Sequence, residues 1–187
     1  LPVVDPSSMG GRPVVAAPGS SVYVACVEND PDTPYSEKVV LYRSTGGAFT
    51  EVDTLVKYAA TPSYDIYVCR TPRMAMDANG DLHILMPVME LKESATPGGF
   101  TTEYETYVYR KVSGTSIGAA EEVWRVAPYP YPYWMLGGGW AHEQMGLVVD
   151  GTIPTVYAME NYRTAGSTYT KGAIAKITRA TGSWVQT

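Results

Sequence analysis

An internal repeat constrains this sequence more than any other feature. Residues 12–29, 73–86 and 146–161 each contain a short apolar run, a turn and a second apolar run. Two apolar runs around a tight turn are typical of a β-hairpin. A recurring segment of this kind indicates a fold built from copies of one unit. We therefore expect three copies of a hairpin-based unit.

A third predicted strand follows each hairpin and ends near an arginine. Arg43, Arg110 and Arg179 lie 67 and 69 residues apart. After two of them, a turn leads to an aromatic residue, Phe49 or Trp184, that begins a fourth strand. Four antiparallel strands at such a period predict β-propeller blades, which bury both faces only by stacking on neighbours. Because the arginines are periodic, we expect each to do the same structural work in its own blade.

The predicted fold is all-β, a partial β-propeller of about three four-stranded antiparallel blades in a single domain, residues 1–187. The 15 Tyr, 18 Gly and 14 Pro residues favour strands and turns over long helices. The alternative is a β-sandwich made of three similar meanders. The expected blades cover residues 10–60, 70–127 and 143–187, with an aromatic Pro–Tyr/Gly loop at 128–142. The hairpins at 13–29, 74–89 and 147–161 are expected to supply the two inner strands of each blade.

Composition excludes several classes of function. With a net charge of −5 and scattered basic residues, the chain offers no basic stripe for nucleic acid. No apolar run approaches the ~18 residues that a membrane-inserted helix needs. No phosphate-binding, serine-hydrolase or zinc-protease motif occurs, so no cofactor is expected. The acidic loop at residues 28–32 lacks the glycine and terminal glutamate of a calcium-binding EF-hand, which favours a solvated loop.

The two cysteines leave two alternatives open. Cys26 and Cys69 are 43 residues apart, a spacing that does not fit zinc ligation. They could form one disulfide in a secreted protein, or remain two buried thiols in neighbouring strands.

The order of these elements resembles that of the sialidase-like propellers with bacterial neuraminidase (Asp-box) repeats. The similarity lies in an apolar strand, an Asp-x-x-Gly turn at residues 77–80, another apolar strand, and a strand ending in Arg43-Ser44 before a Gly-Gly-x-aromatic turn. The turns at residues 44–49 and 181–184 lack the aspartate of the Asp-box. Propellers of this family have five to seven blades, whereas three are expected here.

The stretch from residue 127 to 140 is the most unusual in the chain. Alternating prolines exclude a helix and a central strand and favour an extended loop with outward-pointing tyrosines. Flat aromatic rings can stack on the C–H faces of sugars, although exposed aromatic clusters also mark protein interfaces. The predicted ligand-binding residues are Tyr129, Tyr131, Tyr133, Trp134 and Trp140.

An enzymatic alternative rests on a different set of residues. His142, Tyr133 and Arg163 resemble the base, acid and uronate-neutralising arginine of propeller polysaccharide lyases such as ulvan lyases. His83 is expected to face the core or a channel. Glu28 and Glu160 could suggest a glycosidase, but equivalent positions in separate blades are better explained by a structural role. The three periodic arginines are likewise not assigned to a sialidase site.

The favoured interpretation is a non-catalytic recognition or structural module that binds carbohydrate on a cell surface, a virion or an extracellular assembly. The alternative is a fragment of a propeller enzyme acting on polysaccharide, as a glycosidase or lyase. Three blades leave two apolar faces open, so we expect self-association or another chain to close the propeller. The predicted partners are thus a glycan and a further copy or chain, without nucleic acid or membrane insertion.

Overall fold

The fold is described from a computed structural model of the chain. It describes residues 13–17, 20–32, 36–58, 66–93, 100–126, 145–163 and 170–187. Every regular element in these ranges is a β-strand. None of the described segments forms a helix that could cross a membrane.

Fourteen strands make up the described part of the chain. They are β1 (Val14–Ala16), β2 (Val22–Asn29), β3 (Glu37–Ser44), β4 (Thr50–Val56), β5 (Ile66–Cys69), β6 (Arg73–Met76), β7 (Leu82–Glu93), β8 (Phe100–Ser113), β9 (Ser116–Ile117), β10 (Glu121–Val126), β11 (Met145–Asp150), β12 (Ile153–Arg163), β13 (Thr170–Ala180) and β14 (Ser183–Gln186).

These strands form three antiparallel sheets that follow one another along the chain. Sheet 1 has the order β1-β2-β3-β4, and sheet 3 has the order β11-β12-β13-β14. In sheet 2, β7 and β8 are central; β5 and β6 share the free side of β7, while β9 and β10 share that of β8. Sheet 2 is therefore also four strands wide. The all-β prediction of three four-stranded antiparallel units is confirmed.

The predicted hairpins pair as expected but occupy different places in the sheets. In each, the first strand (β1, β6 or β11) pairs on one side only, with the second strand of its hairpin. The interior positions belong to the second and third strands. The expectation that both hairpin strands are inner strands is wrong, since one of them forms the sheet edge.

Short turns that contain a glycine with a positive φ angle connect the two strands of the second and third hairpins. The turn before β7 begins at Asp77 and ends at Gly80, whose φ is 81°. Gly151 joins β11 to β12 with a φ of 59°. Glycine adopts such positive φ angles without the steric cost that a side chain would impose. The two turns also meet, because the Ala78 amide donates a 2.8 Å hydrogen bond to the Gly151 carbonyl.

The three sheets are stacked with sheet 2 in the middle. Side chains alternate along β7, so that Ile84 packs in a core with sheet 1 and Leu85 in a core with sheet 3. Leu41 is the largest fully buried side chain that sheet 1 gives to the first core, and Ile177 is that of sheet 3 in the second. Sheet 2 thus buries both faces, which agrees with the predicted partial propeller.

Candidate functional site

The sequence-predicted binding residues lie outside the described part of the chain. They are Tyr129, Tyr131, Tyr133, Trp134 and Trp140, and the catalytic candidate His142 lies outside the described part as well. Arg163 ends β12, where its backbone pairs with Thr170. In the sequence, the predicted loop at 128–142 lies between β10 of sheet 2 and β11 of sheet 3. The carbohydrate site and the His142–Tyr133–Arg163 alternative both stay predictions.

A polar clamp joins the two sheets that this loop connects. Arg179 on β13 donates two hydrogen bonds to Glu121 on β10, from Nε to Oε2 at 2.8 Å and from Nη2 to Oε1 at 3.0 Å. The Trp184 indole N–H also donates to Glu121 Oε2, at 3.0 Å. The rings of Trp184 and Tyr109 make a T-shaped contact at a centroid distance of 5.0 Å. A bidentate arginine–carboxylate pair fixes the relative orientation of its two side chains and also stabilises their contact.

Arg110 makes a comparable clamp between sheets 1 and 2. Its Nη1 lies 3.1 Å from Asp53 Oδ2 on β4, and it also donates to the carbonyls of Thr54 and Leu55. Arg43 does different work, because it stays in sheet 1 and donates to Ser21 Oγ. The prediction that the three periodic arginines are equivalent within their own blades is therefore wrong. Two of them hold neighbouring sheets together.

A buried polar chain runs through sheet 2 beneath this clamp. The His83 side chain is 1% exposed and lies 3.2 Å from Asp77 Oδ2 through Nε2 and 2.8 Å from the Tyr109 hydroxyl through Nδ1. An ionised carboxylate only accepts hydrogen bonds, so Nε2 carries the proton and Nδ1 accepts from Tyr109. The predicted inward position of His83 is confirmed, and both of its nitrogens are engaged.

Asp77 is the anionic end of this chain. Its side chain is buried, and it accepts hydrogen bonds from the backbone amides of Asn79 and Asp81 and from Lys111 Nζ. Burial raises the pKa of Asp77, but these donors and His83 outweigh burial and hold the pKa well below its usual value. Burial lowers the pKa of His83 despite Asp77. The arrangement thus stores a carboxylate beside a neutral imidazole.

Tyr109 is the last residue of this hydrogen-bonded series, and its hydroxyl is a weak acid. Burial raises the pKa of its hydroxyl above the ordinary value, and the residue is 2% exposed. A general acid must reach the atom that it protonates, within hydrogen-bond distance or through one water. The Asp77–His83–Tyr109 chain is therefore suited to holding sheet 2 together rather than to acting on a ligand.

The strand register shows a second repeated feature, a set of cross-strand neighbours on one face of each sheet. A small residue on the first strand lies beside a ring on the second strand and a cation on the third. We call these sets the ring–cation ladder, which comprises Ala16, Tyr23 and Arg43 in sheet 1; Ala75, His83 and Lys111 in sheet 2; and Gly146, Tyr157 and Lys176 in sheet 3.

The ladder of each sheet lies on the face that points toward the next sheet. The Tyr23 hydroxyl donates to the Gly114 carbonyl of sheet 2. His83 shares its face with Tyr109, which belongs to the core with sheet 3. In sheet 3 the ladder ring is Tyr157, and the alternate residues Val156 and Ala158 face sheet 2. Tyr157 consequently points away from the stack and is 39% exposed.

Several exposed apolar side chains share the outward face of sheet 3 with Tyr157, beside polar residues such as Lys176 and Asp150. Seven large hydrophobic side chains are exposed among the described residues, and five of them share this face of sheet 3. We call this surface the open face of sheet 3, which consists of Val148, Ile153, Tyr157, Ile174 and Val185. An exposed contiguous apolar patch is typical of an interaction surface.

Glu37 also has a structural partner. Glu37 on β3 accepts a 2.8 Å hydrogen bond from the Cys69 amide on β5, which links sheets 1 and 2. Burial raises the pKa of Glu37 to about 7, against the opposing effects of that hydrogen bond and of Arg70. Both cysteines are free, buried thiols. This outcome matches the second alternative for Cys26 and Cys69 in that both are buried thiols, but they lie on β2 and β5 of different sheets rather than on neighbouring strands.

No group of side chains that could hold a metal ion occurs among the described residues. Lys57 directly follows β4. Its Nζ lies 3.1 Å from Asp30 of the acidic loop and also pairs with Asp32 of that loop. A lysine ammonium thus supplies positive charge to two of the carboxylates that had suggested calcium.

Comparison with known protein families gives no match, and comparison with curated proteins gives none either. Among solved structures, the chain is similar to an endo-arabinase from Bacteroides thetaiotaomicron, with 16% identity and a TM-score of 0.42. The alignment covers 94% of this chain and 59% of that structure. Similarity at this level transfers neither an activity nor a site. The resemblance to sialidase-like repeats stays a prediction.

Proposed function

We propose that this chain is a non-catalytic recognition module whose stacked sheets carry a carbohydrate-binding loop. The ligand would be bound by Tyr129, Tyr131, Tyr133, Trp134 and Trp140, on a cell surface, a virion or an extracellular assembly. The sheets would serve as a rigid frame that holds the two ends of the loop. Binding sites on loops that a rigid scaffold positions are common in proteins.

The proposal rests on the observation that buried acid–base groups in the sheets are hydrogen-bonded to one another or to neighbouring side chains. His83 uses both ring nitrogens, and Tyr109 is buried with its hydroxyl bonded to His83. Glu90 is likewise enclosed, since it accepts hydrogen bonds from Thr106 at 2.7 Å and Arg125 at 2.6 Å. These groups stabilise the frame, which leaves the aromatic loop as the part of the sequence best suited to a ligand.

The clamp supports the loop as a binding element. Val126, which ends β10, and Met145, which begins β11, are the nearest described residues on either side of the predicted loop. Glu121 on β10 is tied to Arg179 and Trp184 of sheet 3. A loop anchored on two clamped sheets loses less conformational entropy on binding than one on independent supports. Tyrosine and tryptophan then offer large, stiff contact areas for sugar rings.

A glycan array tests the proposal with the full chain. We expect selective binding to a subset of glycans, and loss of that binding in Tyr131→Ala and Trp134→Ala variants. Met76→Ala serves as the control, since it truncates a 44% exposed apolar side chain in sheet 2. An array without bound glycans, or unchanged binding in both loop variants, would contradict the proposed site.

A further inference from the structure

The open face of sheet 3 is exposed at positions that the other two sheets bury. The residue two positions before the ladder cation is Leu41 in sheet 1, Tyr109 in sheet 2 and Ile174 in sheet 3. Leu41 is 0% exposed, Tyr109 is 2% exposed, and Ile174 is 74% exposed. The same position in the repeat thus points into a sheet–sheet core twice and into solvent once.

We propose that the open face of sheet 3 binds the outer face of sheet 1 in a second copy of this chain. The outer face of sheet 1 is the surface turned away from sheet 2, and it includes Val15, Val24, Glu28, Tyr42 and Glu51. The inference is independent of the proposed carbohydrate binding, since none of these residues belongs to the aromatic loop.

Continuity with the two internal interfaces identifies the partner surface. Between sheets 1 and 2, and again between sheets 2 and 3, the ladder face of one sheet packs on the opposite face of the following sheet. The open face of sheet 3 is a ladder face without a following sheet. Among the described sheets, sheet 1 is the one whose opposite face packs on no other described sheet, although Cys26 and Val40 on that face are buried.

The two surfaces also complement each other in charge. Lys176, the ladder cation of sheet 3, is exposed, as is Glu51 on the outer face of sheet 1. Glu28 on that outer face already has partners, since it accepts a 2.6 Å hydrogen bond from Tyr42 and lies 3.7 Å from Lys38 Nζ, so the charge complementarity rests on Glu51. Val15, which is 60% exposed, supplies apolar area there. Opposite charges around apolar contacts favour one relative orientation of the two copies.

Reciprocal use of both surfaces closes a dimer. If sheet 3 of each copy packs on sheet 1 of the other, two equivalent interfaces form about a twofold axis and all six sheets are stacked. A single such contact between successive copies would instead produce open chains.

Analytical ultracentrifugation of the full chain at about 1 to 50 µM tests this inference, a range that detects dissociation constants near micromolar. We expect a dimer, and we expect both Ile174→Lys and Val15→Lys to weaken the dissociation constant roughly tenfold or more, because each buries a lysine charge. Met76→Lys is the matched control and should leave the dimer intact. Circular dichroism confirms that each variant is folded.

Two results would overturn the inference. A stable monomer at the highest concentration would show that sheet 3 does not bind a second copy. A dimer lost in Ile174→Lys but unchanged in Val15→Lys would show that the two copies meet through their third sheets instead. A charge exchange gives a further check: Lys176→Glu should weaken the dimer, and adding Glu51→Lys in the same chain should restore it at least in part.

Discussion

At the residue scale, His83 illustrates how the chain buries polar groups without leaving them unpaired. The imidazole connects an anion, Asp77, to a hydroxyl, Tyr109, inside a sheet. A buried donor or acceptor that loses its partner costs about 1–3 kcal/mol, whereas replacing both partners by apolar groups of similar shape is nearly neutral. The hydrogen bonds of Asp77, His83 and Tyr109 therefore stabilise the fold only when all three residues are present.

A His83→Phe variant tests this interpretation. The substitution leaves the buried Tyr109 hydroxyl without its acceptor, so we expect the free energy of unfolding in urea to fall by about 1–3 kcal/mol. In the His83→Phe/Tyr109→Phe double variant the unpaired hydroxyl is gone, and we expect much of that loss to be recovered. Equal stability of His83→Phe and the wild type, or simple additivity of the two single substitutions, would contradict the interpretation.

Glu37 predicts a particular pH dependence of stability. Its pKa rises from 4.5 to about 7 on folding, so the folded chain holds a proton that the unfolded chain has released. The contribution of Glu37 is fully present below pH 4.5 and is lost as the pH rises to about 7. Each pKa unit corresponds to about 1.4 kcal/mol, which places the total change at about 3 kcal/mol.

A Glu37→Gln variant isolates this effect. Glutamine keeps an oxygen that accepts from the Cys69 amide and does not ionise, so the variant should be more stable than the wild type at pH 8. Urea denaturation at several pH values between 4 and 8 measures the difference. A stability difference that does not change over this range would refute the role of Glu37.

At the scale of elements, the clamps connect strands that belong to different sheets. Glu121 on β10 binds both Arg179 and Trp184 of sheet 3. Its neighbour Glu122 is 53% exposed and lies 3.9 Å from Arg125 in its own sheet. Since successive residues of a strand point to opposite faces, these adjacent glutamates form a matched pair for an experiment.

We expect Glu121→Ala to lower the free energy of unfolding by about 1–2 kcal/mol, because solvent screening limits a partly exposed ion pair while two directed hydrogen bonds add to it. Glu122→Ala should change stability by less than about 0.5 kcal/mol. Thermal unfolding followed by circular dichroism compares the two. A larger effect of Glu122→Ala than of Glu121→Ala would invalidate the clamp.

The sequence sufficed for the strands and turns but not for the pairing of side chains between sheets. Alternating apolar runs and the Asp77–Gly80 turn predicted the hairpins, because both signals are local. The register between strands could not be predicted from such local signals. A register shift of one residue moves a side chain to the other face of the sheet. Arg110 and Lys111 are adjacent cations; periodicity selected the arginine, whereas the ladder uses the lysine.

The contacts of the candidate site could not be predicted from local sequence signals either. Nothing local in the sequence indicates that Glu121 faces Arg179, because the two residues are 58 positions apart. Buried groups such as Glu37 also acquire their properties only when sheets 1 and 2 pack. Aromatic enrichment in the loop at 128–142 is local, which is why the sequence could suggest a binding role for it.

At the scale of the whole molecule, the three sheets are stacked, and we propose that the aromatic segment binds a glycan while the two outer faces bind a second copy. The middle sheet is covered on both sides, and the third sheet is covered on one. Catalysis would require an accessible acid–base pair, whereas binding requires shape and aromatic surface. We therefore expect that a glycan bound by this chain is released chemically unaltered.

Mass spectrometry of a bound polysaccharide tests that claim most directly. The full chain is incubated for several hours with a glycan that it retains on the array, and the glycan is then released and weighed. We predict recovery of the glycan at its original mass, from the wild type and from a His142→Ala variant alike. Shortened or unsaturated products that appear with the wild type and disappear in His142→Ala, Tyr133→Phe or Arg163→Ala would contradict the account and establish an enzyme.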